Sequence, residues 1–174
     1  RISLAGRELV VLETPGHARH HCCIRDGKSK AIFAGDTFGL AYRELEAAGG
    51  RFVFPTTSPV QFDPQALHAS IDRIVALRPP RVFVTHFGGL DEVDRLAADL
   101  HRLIDAHVAI ARANRDAGAR RQAAIEEGLR ELVVEEARRQ GWGVSPQEAL
   151  EIFGLDLELN AQGLDVWLGS AAAR

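Results

Sequence analysis

The stretch TPGHARHHCC, residues 14–23, gathers three histidines and two cysteines into ten residues. It follows a hairpin pattern, in which Ile2–Leu4 and Glu8–Glu13 flank a turn at Ala5–Gly6–Arg7. Thr14, Pro15 and Gly16 break the second strand and leave His17 in the loop. His20–Arg25 then reads as the next strand, with His20 and His21 pointing to opposite faces. Cys22 and Cys23 lack C-x-x-C spacing and read as small buried residues rather than as metal ligands.

Working outward, two more polar residues stand just past short apolar strands. Lys30–Ala34 ends at Gly35, with Asp36 at its tip, and RVFVTH ends at His86 before a turn at Gly88–Gly89. Arg51–Phe54 is a further strand candidate. Between them Asp63 caps a helix with Pro64 at its first position, and Leu67, Ile71, Ile74 and Leu77 form the apolar face. Beyond Asp91 the pattern is helical: a stripe from Val93 to Ala111, a helix over 119–140, a capping box at Ser145 and Glu148, and a last helix over 155–168. Rigid strands ending in glycine-rich turns are a good way to hold ligands. Histidine suits zinc or iron, and a carboxylate can span two cations.

The three words TPGHARHH, IFAGDTFG and VFVTHFG, in this order and spacing, resemble the later ligand motifs of the metallo-β-lactamase superfamily. The resemblance covers about Leu9 to Gly89. It implies an α/β fold, the C-terminal half of an αββα sandwich over residues 1–90, with a helical extension over 91–174 packing on it. It implies His17 as ligand to one metal, His86 as ligand to a second, and Asp36 bridging both, with two divalent cations, zinc first and iron or manganese as alternatives. It further implies hydrolysis of a small ester, thioester or lactone by a metal-activated hydroxide, with Asp36 central to catalysis. His21 matches a second histidine of thioesterase-like members and is expected to support the ligands rather than to bind metal. Tyr42, the only tyrosine, is a candidate to hydrogen-bond a substrate carbonyl, although lactone-cleaving relatives carry theirs closer to the aspartate.

The family signature H-x-H-x-D-H is absent from these residues, and its usual place is upstream of the first motif. The chain also contains no Met. The expectation is therefore a C-terminal half that binds metal weakly and is inactive by itself. An iron-dependent redox member and a non-catalytic interaction module are the alternatives.

The 174 residues are 46% apolar, enough for a sizeable core, and carry a formal charge of −3. That balance argues against nucleic-acid and anionic-membrane surfaces and leaves a small-molecule substrate as the expected partner, with a homodimer open. Adjacent cysteines seldom close a disulfide, so the expected compartment is the cytoplasm. His68, His101 and His107 are expected on helix surfaces, and IEEGLRELVVEEARRQ as a solvated face with i,i+4 pairs. Thr56, Thr57 and Ser58 are candidate pocket residues.

Overall fold

In a computed structural model, which describes residues 1–46, 50–57 and 61–170, a mixed sheet carries helices on one face. The strands are β1 (Ile2–Leu4), β2 (Arg7–Glu13), β3 (Cys22–Asp26), β4 (Ile32–Gly35), β5 (Val82–Val84) and β6 (Gly88–Leu90), paired in that order. All pairings are antiparallel except β4 with β5. A parallel pair needs a crossover, and helix α1 (Pro64–Ala76) lies within it. The remaining helices are α2 (Val93–Ala113), α3 (Arg121–Gln140), α4 (Pro146–Ile152) and α5 (Gly154–Gly169). Ser58 lies outside the described residues.

Alternation divides the sheet. Leu12, Cys23, Ile32, Ala34, Val82 and Val84 are buried on one face, in an apolar core that runs on through α1 and α2 to Leu168 on α5. On the other face Val11 pairs with Ile24, Ile24 with Phe33, and Phe33 with Phe83. The rings of Phe33 and Phe83 stack at 5.1 Å, yet Phe33 remains 50% exposed and Val11 43%. An apolar stripe thus crosses four strands and faces solvent.

Helix α1 begins as its sequence demands: the Asp63 carboxylate accepts the Ala66 N–H at 3.0 Å, and Pro64 fills the first turn without losing a bond. At α4 the capping box between Ser145 and Glu148 is complete.

Several expectations need correction. Strand β3 starts at Cys22, because His21 is drawn into a turn by its N–H bond to the Ala18 carbonyl; His20 and His21 precede the strand. Residues 51–54 form no strand, and only Phe54 bridges Leu40. Gly88 and Gly89 are not a turn but part of β6, where they pair with Val84 and Phe83. His107 is fully buried between Phe54 and Asn160, not on a helix surface. Glu136 is 2% exposed and takes both arms of the Arg102 guanidinium, at 2.6 and 2.8 Å, so the α3 face is solvated only in part. His68 and His101 do sit near the surface, where their Nδ1 atoms meet at 2.5 Å between α1 and α2.

Candidate functional site

The site forms where the parallel strands end. Asp36 opens a 3-10 turn directly after β4, and His86 lies two residues past β5. His17 comes from the loop between β2 and β3, which is pressed flat on α1. The Gly16 carbonyl accepts the Asp63 N–H at 2.8 Å, and Ser70 Oγ donates to the Pro15 carbonyl at 2.6 Å. Only glycine fits at Gly16: φ is +132°, and a Cβ would stand 2.3 Å from the Leu67 backbone.

The carboxylate of Asp36 is flanked by two imidazoles. His17 Nε2 faces Oδ2 at 3.7 Å, and His86 Nε2 faces Oδ1 at 3.6 Å. Asp36 Oδ1 is buried and has no hydrogen-bond partner among the described residues. His17 Nδ1 lies 3.1 Å from both the Thr56 carbonyl and Thr56 Oγ1. A carbonyl only accepts, so Nδ1 carries a proton; in the neutral ring Nε2 is then the nitrogen with the free lone pair.

His21 sits beneath Asp36. Its Nε2 accepts the Asp36 N–H at 3.2 Å, so its Nδ1 is the donor, to Thr37 Oγ1 at 2.8 Å. Burial lowers its pKa, in line with a neutral ring whose Nε2 accepts the Asp36 N–H. A Cβ at Gly35, where φ is +54°, would come within 2.6 Å of that Nε2. His20 is exposed. Cys22 is exposed and Cys23 buried, both with free thiols; Cys23 bonds to Thr14 Oγ1 and the Ala34 carbonyl.

A cavity of about 170 Å³ opens over His17, Asp36 and His86, lined also by Leu40, Thr56, Thr57, Asp156, Leu159 and Asn160. A second cavity, of about 180 Å³, lies beside Gly16 and Trp167 and does not reach His17, Asp36 or His86. The α5 residues are contributors that reading the sequence missed. The available signal was Asn160, a polar residue within the stripe Leu157, Ala161 and Leu164. Tyr42 gives its hydroxyl to Asp156 Oδ2 at 2.7 Å, and its ring packs on Phe87 and Phe153. Burial, followed by the Asp156 carboxylate, pushes the Tyr42 pKa up; burial also raises that of Asp156.

The donor set fits divalent cations in part. One nitrogen beside each carboxylate oxygen, with Oδ1 lacking any partner, suits a carboxylate spanning two ions. That leaves only two ligands for each ion. Consistently, no group of three or more His, Cys, Asp or Glu among the described residues could hold an ion by itself.

The family model described as metallo-beta-lactamase superfamily matches residues 1–86. No curated protein matches the chain. Among solved structures it is similar to a metallo-beta-lactamase family protein from Thermus thermophilus. That likeness has 23% identity and a TM-score of 0.52, over 80% of this chain and 47% of that one. It is also similar to an archaeal metallo-beta-lactamase superfamily protein from Sulfolobus tokodaii. There the identity is 27% and the TM-score 0.46, over 60% of this chain and 36% of that one. The chain thus spans less than half the length of either structure. No helix among the described residues is long and apolar enough to cross a membrane.

Proposed function

Residues 1–86 belong to the metallo-beta-lactamase superfamily, and from that premise we propose that this chain supplies part of a dinuclear hydrolytic site for a small ester, thioester or lactone. The observation that carries the reading is the Asp36 carboxylate between two imidazoles, with Oδ1 buried and unpartnered among the described residues. His17 Nε2 and Asp36 Oδ2 would hold one divalent cation, zinc first, and His86 Nε2 and Asp36 Oδ1 the other. Such cations acidify a water to near neutrality and polarise a carbonyl oxygen. The chain's own residues do the rest. Leu40 and Leu159 line the cavity with apolar surface that excludes bulk water from a bound acyl group. Asp156, braced by Tyr42, offers an acceptor for a substrate hydroxyl or amine. Tyr42 acts on substrate through Asp156, because its own proton is committed there. Further ligands must come from outside the described residues, as two per cation hold weakly.

The test is a Co²⁺ titration followed by visible absorption, with hydrolysis of aryl acetate, thioester and lactone substrates measured alongside. Asp36→Asn should abolish the absorption band and any turnover. Equal cobalt binding by the wild type and Asp36→Asn would refute the reading. A second reading, a module whose role is assembly, is favoured by the exposed Val11–Phe83 stripe. It predicts that Phe33→Ser disrupts association while Asp36→Asn leaves it intact.

A further inference from the structure

We propose that Asn160, on the helical tail, is a positioning residue that fixes the ring orientation and tautomer of His17. The inference rests on His17 being a site residue, as proposed above. The Asn160 side chain is 3% exposed and brackets Thr56 from both sides. Its Oδ1 accepts the Thr57 N–H at 2.8 Å, and its Nδ2 donates to the Pro55 carbonyl at 2.8 Å. The second Nδ2 hydrogen points to His107 Nε2 at 3.4 Å, while His107 Nδ1 donates to the Leu103 carbonyl at 2.8 Å. Thr57 Oγ1 adds a bond to the Asn160 carbonyl at 2.9 Å.

This network has one solution. Turning the amide over would set its NH₂ against the Thr57 N–H and its oxygen against the Pro55 carbonyl, two like-against-like contacts in a buried place. The amide therefore holds residues 55–57 in register. Thr56, at the centre, presents its carbonyl and Oγ1 to His17 Nδ1 and donates its own hydroxyl proton to the Asp36 carbonyl at 3.1 Å. One threonine thus meets both site residues, and one asparagine on α5 sets that threonine. The outcome at His17 is a proton on Nδ1 and a lone pair on Nε2, the state a metal ligand needs.

The experiment reads the imidazole nitrogens of His17 by long-range ¹⁵N–¹H NMR on the metal-free chain, above the imidazole titration range. The wild type should show Nδ1–H almost exclusively. Asn160→Ala should give a mixed pattern, with Nε2–H appearing, and about a tenfold loss of Cd²⁺ affinity. Leu164→Ala loosens the same helix without removing a hydrogen bond to residues 55–57, and should keep the wild-type pattern. Should Asn160→Ala not fold, Asn160→Asp serves: it keeps the acceptor for Thr57, loses the donor to Pro55, and should show a partial mixture. A wild-type tautomer in either Asn160 variant, or the same mixture in Leu164→Ala, would overturn the proposal. If Asp36→Asn takes up Cd²⁺ as well as the wild type does, the hydrolase reading fails, while the tautomer measurement, made without metal, still decides the role of Asn160.

Discussion

His17 and His86 face the two oxygens of one carboxylate, yet they are held in opposite ways. His17 is fastened from inside the fold: its loop lies on α1, its Nδ1 is claimed by Thr56, and Thr56 is set by Asn160 and, behind it, the buried His107. His86 is 51% exposed at its side chain, and no hydrogen bond holds its ring among the described residues. Only its backbone is fixed, through Ala41 N–H, and the next residue, Phe87, sits at φ +79° with its carbonyl bonded to Arg51. The difference teaches that one half of the site is organised by the helical tail, whereas the other is held through its backbone.

The largest test of that contrast is on the fastened side. Gly16→Ala forces a Cβ into the Leu67 backbone, and should cost about 4 kcal/mol in urea denaturation. A loss below about 1 kcal/mol would mean that the His17 loop is not pinned to α1.

The next is acid. Burial drives the His107 pKa from 6.5 to about 4, so this imidazole stays neutral in the fold while it protonates in the unfolded chain. The unfolded state binds the extra proton between these values. Stability from this group is therefore complete above pH 6.5 and falls as pH drops to about 4, by about 3 kcal/mol. Urea midpoints measured across this range should show the slope, and His107→Gln should flatten it.

A smaller effect separates the two imidazoles directly. His17→Ala leaves the Thr56 carbonyl short of a donor and should cost about 1–2 kcal/mol, whereas His86→Ala should change stability by less than about 0.5 kcal/mol. Equal losses in thermal melts would erase the asymmetry. Phe33→Ser on the open face of the sheet should likewise cost only about 1–2 kcal/mol, because the ring is half in water and stacks on Phe83 alone among the rings. A drop above about 3 kcal/mol would show that face to be covered in solution.

The sequence was most informative where the signals were local. Gly16, Gly35 and Gly88 lie within two residues of His17, Asp36 and His86, and such breaks at strand ends are visible within a few residues. The Asp63 cap and the Ser145 capping box are equally local. Glycines misled at β6, since Gly88 and Gly89 reach extended pairing only because β5 lies beside them. His107 and Glu136 were read as surface groups because counting polar residues on a helix takes no account of a partner from another element. Their partners are Asn160 and Arg102, far away in the chain. Asp156 and Asn160 reach the cavity only through tertiary packing of α5, which no period in the sequence encodes.

The β4–β5 crossover has a kinetic consequence. Asp36 and His86 cannot meet until the whole segment between them, α1 included, has folded back to lay β5 alongside β4. Closing so long a loop forfeits chain entropy before any contact repays it. The hairpins β1–β2 and β2–β3 should zip early, and the pocket should be among the last parts of the molecule to take shape.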